Sequence, residues 1–182
     1  EFMNYALNLC DTWDTCMDIG GGSGHYLNAL ATRFKKAILV EVADMPEHKI
    51  ITDRYKNIEV VNSFIENYQT TTKVDFILLA DIYEHIKDID SFVAKVSNLQ
   101  AKGGVVYIMT PNPVSCGPAN ESGLFHTIHP NGHIRHYPSG EMIALMKKHG
   151  YELMFKVYEE RAFRKFAKAI IYGLARRDTA YR

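Results

Sequence analysis

The sequence predicts an α/β protein built on a mostly parallel sheet with helices on both faces. Three observations lead there. Strand-like apolar runs alternate with helix-like runs along most of the 182 residues. Two of the strand-like runs, VDFILLAD at 74–81 and GVVYIMT at 104–110, are apolar almost without a break, as in strands covered on both faces. Finally, the stretch GGGSG at 20–24 puts four glycines at the junction between a first strand and the helix after it.

The elements follow in order. TCMDIG (15–20) is a short apolar run closed by glycine and reads as a buried strand. In GHYLNALATRF (24–34), Tyr26, Leu27, Leu30 and Phe34 recur at helical spacing. AILVEV (37–42) is aliphatic and β-branched, a strand; PEHKIITDRY (46–55) opens on proline, which the first helical turn accepts. IEVVNSF (58–64) is a strand, and DIDSFVAKVSNLQ (88–100) is a helix stopped by the lysine and glycines at 102–104. The stretch 111–138 is rich in Pro, Gly, Asn and His and reads as a loop. SGEMIALMKKHG (139–150) is a helix with Ser139 as cap candidate and Gly150 at its end, and YELMFKVYEE (151–160) is a strand.

The last stretch, RAFRKFAKAIIYGLARR (161–177), reads as a helix that replaces the final strand such a sheet would carry. Phe163, Phe166, Ile170 and Leu174 form its apolar stripe, and basic residues crowd the other positions. Packing on its own sheet ranks first. Peripheral contact with an anionic membrane, or with a phosphate-bearing substrate, is the sharper alternative. Glu1 and Phe2, ahead of Met3, read as residues left by cloning, so one domain is expected over 3–182, with 161–182 as its C-terminal helix.

Composition excludes several classes. Lys+Arg and Asp+Glu balance at 21 each, so no global charge favours a polyanionic partner, and nucleic acid is disfavoured. At 47% hydrophobic and 23% charged residues, the chain is not of disordered composition. No apolar run nears the ~20 residues of a membrane span. Cys10, Cys16 and Cys116 are odd in number and lack metal-type spacing, which fits buried thiols in a reducing, cytoplasmic setting. Trp13 reads as a core residue, ahead of a role over the site.

In an open α/β sheet, ligands bind beyond the carboxyl ends of the strands, where the strand order reverses. The glycine loop lies at such an end. Its spacing is Asp18-x-Gly20-x-Gly22-x-Gly24, with Gly21 between. A dinucleotide fingerprint begun at Gly20 would need its third glycine at His25, so that motif fails, and no Gly-Lys-Ser/Thr of a phosphate loop follows. D-x-G-x-G-x-G resembles motif I of the class I S-adenosylmethionine-dependent methyltransferases, whose fold is a Rossmann-like, mostly parallel sheet. The resemblance implies that Asp18, Gly20, Gly21, Gly22 and Gly24 pass beside the amino-acid part of that cofactor.

Glu41 ends the second strand roughly 20 residues past the loop, where a nucleotide-binding sheet places its ribose ligand; Asp44 is the fallback. Asn62, Ser63 and Phe64 lie where the family contacts adenine, and Ala80 is counted among the cofactor contacts. The stretch 74–112, with its Glu84-His85 and Thr110-Pro111-Asn112, extends the resemblance over about 15–155. It is similar above all to the ubiquinone-biosynthesis O-methyltransferase group. Because ADIY stands at 80–83, the signature of DNA amino-methylation is absent.

The resemblance implies methyl transfer to a hydroxyl of a small-molecule acceptor. An RNA 2′-O-methyltransferase and a non-catalytic, cofactor-binding partner subunit are the alternatives. Glu84, His85 and His133 are the catalytic candidates, the imidazoles as bases near neutral pH. A second reading gathers a divalent metal on Asp81, Glu84, His85 and His133, with Asp81 where glutamate is usual. Two oxygens and two imidazoles suit Mn²⁺, Fe²⁺ or Zn²⁺ better than Mg²⁺. A third has Glu84-His85 only cap the following helix. The further histidines of the loop, His126, His129 and His136, include ordinary surface residues.

Overall fold

A computed structural model describes residues 2–111, 134–135, 137–159 and 169–176. The elements are α1 (Phe2–Leu7), β1 (Thr15–Ile19), α2 (Leu27–Ala31), β2 (Lys36–Glu41), α3 (Pro46–Arg54) and β3 (Ile58–Asn62). There follow β4 (Val74–Ala80), a 3₁₀ turn (Tyr83–His85), α4 (Ile89–Leu99), β5 (Gln100–Pro111), α5 (Ser139–Lys148), β6 (Tyr151–Glu159) and β7 (Ala169–Arg176). His126, His129, His133, His136, Cys116 and the stretches 161–168 and 177–182 lie outside the described residues.

Seven strands form one sheet in the order β3-β2-β1-β4-β5-β7-β6. The pairs from β3 to β5 are parallel, and β7 is antiparallel to both its neighbours. The chain steps outward from β1 to β3, then returns to lay β4 against the other side of β1. The connections leaving β1 and β4 therefore diverge, and a crevice opens at their carboxyl ends.

Alternate residues along each strand feed two cores. Met17, Ile19, Ile38, Val40, Ile77 and Leu79 face α4 and α5, whose Phe92, Val93, Val96, Met142 and Met146 are buried there. Cys16, Ala37, Leu39, Phe76 and Leu78 face the other way, onto Leu7 of α1, Leu27 and Leu30 of α2 and Ile51 of α3. A period of two with both sets apolar is what a two-faced strand requires, so the unbroken runs in the sequence are explained. Trp13 stacks on Phe34 with ring centroids 5.3 Å apart, beside this second core. Cys10 and Cys16 are buried free thiols; burial pushes Cys10 up to about 12 and Cys16 higher still, so both stay protonated.

Element ends differ from the expectations in instructive ways. The helix expected over 24–34 is regular only over Leu27–Ala31, because the glycine loop's turns run on to Tyr26. Ser139 is the first helical residue of α5, and the cap position belongs to Pro138. β5 begins at Gln100, immediately after α4, and Gly103 turns at φ +74° within it.

The main correction concerns the C-terminus. Residues 169–176, expected as part of a basic amphipathic helix, are a strand inserted between β5 and β6. The sheet therefore has its last strand. Ile170, Ile171 and Tyr172 suit a pleated position, and pairing with two neighbours at once outweighs the local helical pattern. Arg176, counted with the basic face, instead donates from its guanidinium to the carbonyls of Ser97 and Gln100 at the end of α4. The membrane-contact reading loses Ile170 and Leu174 from its stripe; Leu174 is fully buried. Among the described residues no helix is long and apolar enough to cross a membrane.

Candidate active site

The glycine loop begins where β1 ends, with Gly20 N–H donating to Val40 O at 2.8 Å. Gly20, Gly22 and Gly24 all adopt positive φ, at 68°, 53° and 77°, a region closed to most side chains. The glycines also differ in what surrounds them. A Cβ on Gly20 would lie 2.6 Å from Ile82 Cδ1, and one on Gly21 would collide with the Asp18 carboxylate. At Gly22 a Cβ would meet nothing within 4 Å. The loop thus packs tightly beneath and leaves open space above Gly22.

Two carboxylates stand behind this loop. Glu41, at the end of β2, accepts from Gly22 N–H (3.0 Å) through Oε2 and from Ala43 N–H (2.9 Å) through Oε1. Each oxygen retains a lone pair for another donor. Asp18 is fully buried in β1, and neither of its oxygens has a hydrogen-bond partner among the described residues. Burial, helped by the charge of Glu41, pushes the Asp18 carboxyl up to about 7.

The crevice beside the loop is lined by Gly20, Glu41, Ser63, Phe64 and His85, with Ile19, Val40, Val42, Ile82 and Phe92 among its apolar walls. Five of the residues singled out in the sequence are therefore brought together. Phe64 is 60% exposed and Val42 53%, large apolar groups left uncovered on the crevice rim. Asn62 has a different position. Its amide donates to Ala43 O at 2.9 Å and ties the end of β3 to the turn after β2. Ser63 donates its hydroxyl to Phe64 O. Asp44 is exposed and does not line the crevice.

On the β4 side, Ala80 ends the strand and Asp81 follows at φ 52°, its N–H on Met109 O at 2.8 Å. Asp tolerates this left-handed geometry better than most residues, but such a residue at a strand end marks a constrained position. Glu84 turns inward and is 1% exposed; Thr110 donates its hydroxyl to Oε2 at 3.1 Å, and burial pushes the carboxyl up to about 7. Its backbone carbonyl accepts from Ile134 and Arg135 N–H, which ties these two residues to the turn after β4. Among the described residues no three His, Cys, Asp or Glu side chains come together as metal ligands.

Residues 1–154 match the family model described as a methyltransferase domain. The chain belongs to the methyltransferase domain family. Among curated proteins, none matches the sequence. The N-methyltransferase NodS of Bradyrhizobium japonicum superposes on this methyltransferase with TM-score 0.74 at 15% identity, over 96% of this chain and 94% of its own. An S-adenosylmethionine-dependent methyltransferase of Clostridium acetobutylicum gives 0.73 at 16%, over 97% and 89%. The 1,6-didemethyltoxoflavin-N1-methyltransferase of Burkholderia thailandensis, with bound 1,6-didemethyltoxoflavin and S-adenosylhomocysteine, gives 0.77 at 15%, over 97% and 76%. The fold is the Rossmann-like fold of class I methyltransferases, and methyl transfer from S-adenosylmethionine is the family's activity.

The methyltransferase's own residues fit that cofactor. A buried carboxylate with no hydrogen-bond partner among the described residues, and a second carboxylate behind a bare loop, suit a cationic group. They oppose a pyrophosphate, and Gly22 N–H is already given to Glu41. The sequence reading assigns no role to two residues of the site, of which Thr110 is named there only within the Thr110-Pro111-Asn112 motif. Thr110, at the end of β5, holds Glu84 from a position that looks like one more apolar-strand residue. His48, 5% exposed in α3, reaches Gly22 O with Nε2 at 2.8 Å. Pro46 at the helix start places His48 third in the helix, where a side chain can turn back toward the preceding backbone. The sequence could signal that local contact with Met45, but not the reach to Gly22.

Proposed function

We propose that this methyltransferase moves a methyl group from S-adenosylmethionine to a hydroxyl of a small molecule, as in the ubiquinone-biosynthesis O-methyltransferase group. The observation that carries it is the crevice itself: Gly20, Glu41, Phe64 and His85 line one cleft at the point where the strand order reverses. Glu41 accepts from the ribose hydroxyls with its remaining lone pairs. Val42, Phe64 and Ser63 would hold the adenine ring, the first two by apolar contact. Asp18 and the loop of Gly20 to Gly24 favour the ammonium group of the cofactor's amino-acid end. The cofactor, when bound, supplies a methyl carbon on a sulfonium that departs as a neutral thioether. His85, half-buried in the crevice wall, takes the acceptor's proton as the oxygen–carbon bond forms. Asp81 orients the acceptor from the β4 side. Glu84 supports the wall from within the core, held by the Thr110 hydroxyl.

A nitrogen acceptor is the second reading, favoured by the two N-methyltransferases among the similar folds. A neutral amine attacks through its own lone pair, so no base need act as the nitrogen–carbon bond forms. Calorimetry with S-adenosylhomocysteine is expected to show binding; no heat from folded protein would end the cofactor assignment. A labelled-methyl assay over phenols, sugars, amines and RNA then separates the acceptors. For hydroxyls, His85→Ala is expected to lower kcat by about 10²-fold; an equal rate in variant and wild type on the best acceptor would remove the base.

A further inference from the structure

His48 spans the two segments that build the cofactor site. It is the third residue of α3, and its ring is buried. Nδ1 faces Met45 N–H at 3.4 Å, and a backbone amide can only donate. Nδ1 is therefore the acceptor, and the ring proton sits on Nε2, which donates to Gly22 O at 2.8 Å. Gly22 N–H meanwhile donates to Glu41 at 3.0 Å. The amide of Gly22 belongs to the peptide plane before its Cα and the carbonyl to the plane after it. Two hydrogen bonds thus hold both planes, and with them the φ of +53° at the one loop glycine that faces open space. Three residues on, along the same helix face, Ile51 Cδ1 lies 2.6 Å from where a Cβ on Gly24 would stand, so α3 grips the loop a second time.

From this we infer that His48 is the positioning residue of the cofactor loop: as the neutral Nε2–H tautomer it clamps Gly22 in the conformation that receives the cofactor. The inference deepens the cofactor reading and rests on it. Without the clamp the loop must be reordered on binding, and affinity falls.

The test uses the whole chain and three readouts. Nitrogen-15 NMR without cofactor is expected to show His48 protonated at Nε2 only. His48→Ala is expected to speed amide exchange in residues 21–24 and to weaken S-adenosylhomocysteine binding about tenfold. His48→Gln, whose amide reaches the same carbonyl, is expected to restore binding to within about threefold. A proton on Nδ1, wild-type affinity in the alanine variant, or a loss that glutamine does not restore would each overturn the clamp. If the alanine variant does not fold, the wild-type spectrum and the glutamine variant still decide. If wild type binds no S-adenosylhomocysteine, the cofactor reading falls, while the tautomer and the exchange rates judge the clamp separately.

Discussion

Asp18 is a carboxyl whose charged form the burial in β1 disfavours and a nearby cationic group would favour. Burial raises it to about 7, well above the value of about 4 it has in an unfolded chain. Between those values the folded protein holds a proton that the unfolded chain has lost. Ligand-free stability should therefore be greatest below about pH 4 on this account and fall as pH rises toward 7. Glu84, raised to about 7 by burial, adds to the same slope. Asp18→Asn is expected to flatten the slope and weaken S-adenosylhomocysteine binding together; urea unfolding at pH 5 and pH 8 and calorimetry would measure the two. Glu84→Gln keeps an oxygen for Thr110. It is expected to retain most turnover, and turnover is expected to survive exhaustive chelation, since the Glu84 carboxyl is committed inside the core. A steep loss in either assay, on folded protein, would return Glu84 to the chemistry.

The elements show where local pattern decides and where it does not. Asp88 caps α4 by accepting from Ser91 N–H, and Gly150 closes α5 at φ +85°, both readable in adjacent residues. β7 is the opposite case. The sequence 169–176 contains a glycine and two residues of an apparent helical stripe, yet it forms the strand that joins β5 to β6. The glycine has a specific use, because the Phe155 ring of β6 lies over Gly173, and Tyr5 of α1 meets Phe155 edge-on at 5.1 Å. Gly173→Val would drive a branched side chain into that ring. A cost of about 1–3 kcal/mol is expected, read as a lower urea midpoint with an unchanged slope. A neutral result would mean that Phe155 repacks freely.

At the scale of the whole molecule, the site exists because β4 returns to pair with β1. That pairing brings Ile82 and His85 against Gly20 and opposite Glu41 and Phe64. The net charge of zero argues against a polyanionic partner.

What the sequence determined by itself was the alternation of strand and helix, the two-faced strands, and the glycine loop with an acidic residue at the next strand end. These are short-range signals: periodicity within one element, glycine spacing within seven residues, one carboxylate at a counted distance. The tertiary structure alone decided that 169–176 is a strand, that Glu84 faces inward to Thr110, and that His48 holds Gly22. Each of these is a pairing between residues far apart in the chain. Local propensity is worth tenths of a kcal/mol per residue, and two ladders of backbone hydrogen bonds or a buried polar contact outweigh it.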